Sequence, residues 1–121
     1  MKKVYICSPL AGNVVDNLKN AIRFGEFALT DQNAAPIVPH FYTLMLNDDN
    51  PAQRELGIRA GMSLIWLVDE LWVFGDERTS GMTAEIDRAK HLNIPIRYFT
   101  GEKVNKILKE SGGKIIDEKI N

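Results

Sequence analysis

The residues with the most chemical potential lie in the segment Thr79-Ser80-Gly81-Met82 and, one helical turn further on, at Glu85. The segment is typical of a helix start, where two hydroxyl groups and unpaired backbone N–H groups can bind an anion. Ser80 can equally be no more than the N-cap of that helix. Glu85 lies at the edge of the helix's apolar face. A carboxylate there can act as a nucleophile or a general base, or can be an ordinary glutamate beside the core.

Other reactive side chains have simpler explanations. Cys7 ends a run of β-forming residues and is predicted to be a small core residue; as the single cysteine it forms no intrachain disulfide. His40 and His91 lack the spacing of metal ligands, so no metal site is predicted. Neither a Gly-x-Gly-x-x-Gly motif nor a Walker lysine follows the first strand, which argues against dehydrogenases and nucleoside triphosphatases. We therefore expect no cofactor.

Alternating strand and helix patterns position these residues. The runs 4–7 and 71–74 are apolar throughout, as in buried parallel strands. Asn13 is predicted to cap the first helix, and Asn50-Pro51 to begin the second. The predicted strands are 4–7, 35–39, 71–74 and 94–99, with 114–117 as a candidate fifth. Four helices are predicted: one that follows Asn13, one from 51 to about 67, one from the 79–81 turn to about 91, and one over 102–110. The predicted apolar stripe of the first helix is Leu18, Ala21, Ile22, Gly25, Ala28 and Leu29.

This alternation predicts right-handed βαβ units and an α/β fold, a Rossmann- or flavodoxin-like three-layer sandwich formed by one domain over residues 1–121. The most economical order of its mainly parallel sheet is 2-1-3-4, with the fifth strand beyond. Strands one and three are then neighbours, and ligands bind such sheets in the crevice at their carboxyl ends. We expect the loops 8–13 and 75–81 to converge there, with His40, just after strand two, beside them. The long connection 39–50 is of a length that often carries function.

Composition narrows the class of protein. The 121 residues include 45% hydrophobic and 26% charged residues, ordinary values for a globular domain. The net charge of -1 leaves no basic excess for general nucleic-acid binding. No apolar run approaches the roughly 20 residues of a membrane helix. The N-terminus leads directly into the first strand without a signal peptide, which predicts a cytoplasmic protein.

Three segments resemble the nucleoside 2-deoxyribosyltransferase superfamily: residues 3–9 (KVYICSP), 69–75 (DELWVFG) and 80–86 (SGMTAEI). The nearest branch resembles small uncharacterised proteins of bacteria and phages that share this signature. The resemblance spans roughly residues 3–99. It implies a nucleoside or nucleotide as the small-molecule partner.

The resemblance also implies roles for individual residues. Glu85 matches the family's nucleophile, which attacks the anomeric carbon of the sugar. Residues 5–8 match the sugar pocket, and Thr79 matches a serine that helps to hold phosphate in relatives that hydrolyse nucleotide monophosphates. Together with the converging loops, the candidate ligand-binding residues are Tyr5, Ser8, Pro9, Gly12, Asn13, His40, Thr79, Ser80, Gly81 and Met82.

One position departs from the family pattern. Where the family carries an aspartate that assists catalysis, this chain has Gly61, and Glu55 is a distant substitute. Two functions therefore stay open: an enzyme that cleaves or exchanges the N-glycosidic bond, and a non-catalytic protein that binds a nucleotide-like ligand in the same crevice. Related transferases complete their sites with a neighbouring subunit, and a homo-oligomer is expected here. The apolar residues available for such an interface are Phe41, Tyr42, Leu44, Met45, Leu46 and Trp66.

Overall fold

The computed structural model describes residues 1–110 and contains a sheet of four parallel strands. In chain order the strands are β1 (Lys3–Cys7), β2 (Ala35–Ile37), β3 (Glu70–Phe74) and β4 (Ile96–Phe99). Their spatial order is β2-β1-β3-β4, and every pairing is parallel. The predicted order is therefore confirmed, and β1 and β3 are the central neighbours at which the chain changes direction. The candidate fifth strand over 114–117 lies outside the described residues.

Residues 1–110 form four α-helices around the sheet: α1 (Val14–Thr30), α2 (Pro51–Met62), α3 (Ser80–His91) and α4 (Gly101–Glu110). Short 3₁₀ helices span Pro39–Leu44 and Ile65–Leu67. The predicted second helix therefore ends about five residues early. The backbone of Ser63 closes its last turn, and the Ser63 hydroxyl donates to the Ala60 carbonyl at 2.6 Å. No helix of the described residues is both long and apolar enough to cross a membrane.

Side-chain caps fix where α1, α2 and α3 begin. Asn13 accepts a hydrogen bond from the backbone N–H of Asp16 at α1, as predicted. Asn50 caps α2 directly before its proline. At α3 the cap is Thr79, whose hydroxyl accepts from the N–H of Met82 at 3.2 Å. Ser80 is thus the first helical residue rather than the N-cap, because Thr79 has the extended backbone that a cap needs.

One face of the sheet packs against α1 through aromatic rings and against α4 through Val104 and Leu108. Phe24 stacks on Phe74 with ring centroids 4.3 Å apart, and Phe27 meets Phe99 edge to face at 5.3 Å. The predicted stripe of α1 is partly wrong, since Leu29 is half exposed. The buried face of α1 is centred on the two phenylalanines because burying them removes more apolar area from water than burying Leu29 would. The buried residues of α1 are Ala21, Phe24, Gly25, Phe27 and Ala28.

The opposite face of the sheet packs against α3. Met82, Ile86 and Ala89 are buried, as the helical spacing predicts. They meet Tyr5, Cys7 and the inward residues of β3 in a second apolar cluster. Because successive residues of a strand point to opposite faces, Tyr5 and Cys7 lie on the same side of the sheet as α3. This arrangement places the carboxyl end of β1 directly beside the start of α3.

Candidate functional site

A cavity of about 490 Å³ opens at the carboxyl end of β1, at the predicted switch point of the sheet. Its floor is formed by β1 and the start of α3, and we call the stretch 39–62 its wall. The predicted site residues that line it are Tyr5, Ser8, Gly12, His40, Thr79, Ser80, Gly81, Met82 and Glu85. Pro9 and Asn13 are not among the lining residues. Asn13 instead holds the start of α1, donating from its amide to the Asp16 carboxylate at 2.7 Å.

Tyr5 and Glu85 form the central polar contact of the floor. The Tyr5 hydroxyl donates to Oε2 of Glu85 at 2.5 Å, joining residues 80 positions apart in the chain. Tyr5 is fully buried, and Glu85 lies one helical turn after Met82 at the edge of the buried face of α3. A buried hydroxyl in this position holds one carboxylate oxygen in place.

Burial changes the protonation of this pair. It raises the pKa of Glu85 to about 7, although the Tyr5 hydroxyl and then the nearby Cys7 thiol act in the opposite direction. Burial and the neighbouring Glu85 carboxylate raise the pKa of Tyr5 far above its ordinary value. Tyr5 therefore keeps its proton and acts as a donor, while Glu85 exchanges its proton near neutral pH. A carboxyl group with that property is typical of catalytic acids, bases and nucleophiles.

Cys7 takes no part as a reactive thiolate. It is fully buried, and its thiol donates to the carbonyl oxygen of Met82 at 3.8 Å. Burial, followed by the nearby Glu85 carboxylate, raises the pKa of the Cys7 thiol. The expectation that Cys7 is a small core residue is confirmed.

Gly61 stands at the position where the resemblance to the deoxyribosyltransferases implies an aspartate. A Cβ atom added there would lie 3.0 Å from the Cβ of Pro39 and 3.2 Å from the Tyr5 hydroxyl oxygen. Any side chain at this position must displace one of the two, so the glycine lets α2 approach β1 closely. Glu55, the alternative acid, is exposed and does not line the cavity.

The wall contributes polar residues that the sequence patterns did not single out. Asp48, Asp49, Gln53 and Arg54 all line the cavity. The Arg54 Nε donates to the Asp48 carbonyl at 3.4 Å, and the Gln53 side chain accepts from the backbone N–H of Asn47 at 2.6 Å. The sequence signal that could have indicated these residues is the turn-rich run 47–50, because long connections often carry function. Within residues 1–110 no group of three or more His, Cys, Asp or Glu side chains is placed to hold a metal ion.

Ser8 and His40 connect the floor to the wall. Both are almost completely buried, and both line the cavity. The His40 Nε2 lies 3.0 Å from the Ser8 carbonyl oxygen and 3.1 Å from the Ser8 hydroxyl oxygen. Burial lowers the pKa of His40 and so favours the neutral ring, although hydrogen bonds to the backbone of Ser8 and Pro9 act in the opposite direction. The prediction that His40 borders the crevice agrees with this placement.

The fold resembles that of a known class of enzyme. The chain superposes on a 2-deoxyribosyltransferase from the psychrotolerant bacterium Bacillus psychrosaccharolyticus with a TM-score of 0.64, over 81% of this chain and 72% of that one, at 21% sequence identity. That likeness confirms the Rossmann-like fold expected from the superfamily resemblance. Residues 2–99 match the model of a domain family of unknown function, DUF7768, and the chain belongs to this family. A comparison with curated proteins gives no match.

Proposed function

We propose that this protein cleaves or exchanges the N-glycosidic bond of a nucleoside or nucleotide, with Glu85 as the nucleophile. The observation that carries the proposal is the buried Tyr5–Glu85 pair on the cavity floor, whose carboxyl group has a pKa near 7. The fold shared with a 2-deoxyribosyltransferase supports this choice of reaction. A cavity of about 490 Å³ is large enough for a ligand of nucleoside size.

The proposed reaction makes use of the contact between Tyr5 and Glu85. Tyr5 holds Oε2 of Glu85, and Oε1 attacks C1′ of the sugar as the bond to the base nitrogen breaks and its electron pair leaves with the base. The transition state is oxocarbenium-like, and the product is a glycosyl ester of Glu85. Water or a second base then attacks C1′, releases the Glu85 carboxylate, and gives up its proton to the solvent.

The departing base needs a proton, and Gly61 has no acidic side chain that could donate one. Asp48 and Asp49 are the other carboxyl groups lining the cavity within the described residues. Both belong to the wall, on the loop that precedes α2. We assign the protonation of the base to one of these two aspartates.

The second candidate function is ligand binding without turnover, and Gly61 favours it. The aspartate that assists catalysis in the nucleoside 2-deoxyribosyltransferases is replaced by Gly61, and Tyr5 and Pro39 occupy the adjoining space. A binding protein would need the cavity and its hydrogen-bonding groups but no ionised Glu85. Release of free base therefore separates the two functions.

We also propose that the protein is a homo-oligomer assembled through its wall. Several large apolar side chains of the wall and the turn after it are exposed, and clustered exposure of this kind marks association surfaces. They are Phe41, Leu44, Met45, Leu56, Ile58, Trp66 and Leu67. Light scattering at micromolar concentration tests the proposal, and a monomer would contradict it.

The test of the proposed reaction is a panel of nucleosides and their 5′-monophosphates, with released base separated by chromatography. We expect base release by the wild-type protein and by Glu55→Gln, an exposed glutamate outside the cavity that serves as the matched control. We expect none from Glu85→Gln, which should still bind within about tenfold of wild type because amide and carboxylate are nearly isosteric. Binding without base release by the wild type would favour the second function, and turnover by folded Glu85→Gln would exclude the covalent mechanism.

A further inference from the structure

The hydrogen atom between His40 and Ser8 can be placed from the chemistry of the two groups. The Ser8 carbonyl oxygen, 3.0 Å from His40 Nε2, has no hydrogen and can only accept. His40 Nε2 must therefore carry the hydrogen of the neutral ring. The other ring nitrogen, Nδ1, is buried without a partner among residues 1–110, so a hydrogen placed there would be an unsatisfied donor. Both considerations favour the Nε2–H form.

This assignment determines what the Ser8 hydroxyl can do. An Nε2 that carries a hydrogen has no lone pair, so the Ser8 oxygen, 3.1 Å away, can only accept from it. The hydroxyl hydrogen of Ser8 must then point elsewhere. No other acceptor for it occurs among the hydrogen bonds found within residues 1–110, and Ser8 lines the cavity.

We propose that His40 is a positioning residue that orients the Ser8 hydroxyl as a hydrogen-bond donor to an oxygen atom of the bound ligand. The inference rests on the proposed function for its ligand class, a nucleoside or nucleotide. The acceptor is an oxygen of the sugar or of a 5′-phosphate, which share the same acceptor chemistry. His40 reaches from the wall to the end of β1, so the wall controls a donor on the floor.

The first test needs neither ligand nor turnover. Two-dimensional ¹⁵N–¹H NMR of the histidine-labelled wild-type protein at pH 7 distinguishes the two neutral ring forms by their nitrogen shifts. We expect His40 to be in the Nε2–H form. His91, exposed at the end of α3, provides an internal reference for a solvent-averaged ring. An Nδ1–H form would overturn the proposal, because Nε2 could then accept the Ser8 hydrogen.

The second test measures affinity by calorimetry, so that it does not depend on base release. The probes are the four 2′-deoxynucleosides, their 5′-deoxy and 3′-deoxy analogues, and their 5′-monophosphates. We expect Ser8→Ala to weaken binding about tenfold for probes that retain the accepting oxygen and to have no effect on the analogue that lacks it. The analogue that is insensitive identifies the oxygen. An effect below twofold on every probe, or no binding by any of them, would contradict the donor role.

Substitutions of His40 separate positioning from mere support of the fold. His40→Gln keeps a side-chain N–H for the Ser8 carbonyl and should bind within about threefold of wild type, whereas His40→Leu should weaken binding about tenfold. In the Ser8→Ala background His40→Leu should have no further effect, since both changes remove the same donor. Additive losses, or a His40→Leu protein with a lower Tm and unchanged affinity, would show a purely structural histidine. If His40→Leu does not fold, the ring form and the Ser8→Ala affinities still decide the question.

Discussion

The floor and the wall of the cavity are built on different principles. The floor is formed by regular elements, β1 and α3, whose side chains are fixed by the apolar core beneath them. The wall consists of the 3₁₀ helix Pro39–Leu44, an irregular loop and α2, and it exposes many large apolar side chains. The Tyr5–Glu85 pair, which we propose to be reactive, lies on the floor, whereas the exposed apolar groups proposed to meet a partner lie on the wall. The proposed chemistry, which depends on tenths of an ångström, would thus take place where packing allows the least movement.

Glu85→Ala should produce the largest effect on the floor. Removing the carboxyl group eliminates the nucleophile, and we expect base release to fall by at least 10³-fold. The substitution leaves space for a small anion, so added formate should restore part of the activity. Steady-state rates with and without formate measure both effects. Unchanged rates in Glu85→Ala would show that the carboxyl group on the floor is not the nucleophile.

Asp48 and Asp49 test whether the wall also takes part in the reaction. General acid catalysis contributes about 10²-fold or more, so Asp48→Asn or Asp49→Asn should lower the rate of base release by about 100-fold. The aspartate that is not the acid serves as the control for its neighbour. Nucleosides whose base needs no proton to leave should be insensitive to both substitutions. Two variants with wild-type rates would mean that the wall supplies no proton.

Much of the floor could be predicted from the sequence, and little of the wall. The spacing of Met82, Ile86 and Ala89 defines the inward face of α3 because a long regular helix repeats its pattern. The pattern also brought Glu85 and the end of β1 to the same crevice, through the order of the strands alone. The predicted apolar stripe of α1 wrongly included Leu29, because periodicity alone does not take account of the larger aromatic rings of its neighbours.

The start of α2 and the place of His40 were predicted, but the other contacts of the wall escaped prediction for physical reasons. A 3₁₀ helix of six residues has no periodic signature, and contacts such as Ser8 with His40 join residues 32 positions apart. The approach of Gly61 to Tyr5 depends on how α2 sits on the sheet, which no local pattern encodes. The run 47–50 was noted as part of a long connection, but Asp48 and Asp49 were not singled out, because acidic residues in turns are usually solvated.

Gly61→Asp should damage the point where wall and floor meet. The new side chain would press against the Tyr5 hydroxyl and Pro39, and would bring a second carboxyl group near Glu85. We expect the free energy of unfolding to fall by about 3 kcal/mol. Gly57→Ala is the matched control, since its Cβ would lie 3.2 Å from the end of the Leu46 side chain, which can move. Chemical denaturation measures both variants; a Gly61→Asp protein as stable as wild type would show that the close approach is not needed.

A pH-dependent effect on stability should come from Glu85 itself. Its pKa is raised on folding from 4.5 to about 7, so the folded state favours the protonated form. The penalty for the ionised group is absent below pH 4.5, grows as the pH rises toward 7, and then levels off at about 3 kcal/mol. Glu85→Gln, which is never ionised, should therefore be more stable than wild type at pH 8 and equal to it at pH 4.5. A stability difference that does not change with pH would mean that Glu85 ionises freely.

The most direct test of the central claim is to trap the glycosyl ester on Glu85. A 2′-deoxy-2′-fluoro-arabinonucleoside carries a fluorine that destabilises the oxocarbenium-like transition state and slows breakdown of the ester. Mass spectrometry of the intact protein, followed by peptide mapping, should show the mass of the fluorinated sugar on Glu85 of the wild type and no adduct on Glu85→Gln. Base released without any adduct, or an adduct on another residue, would contradict the account.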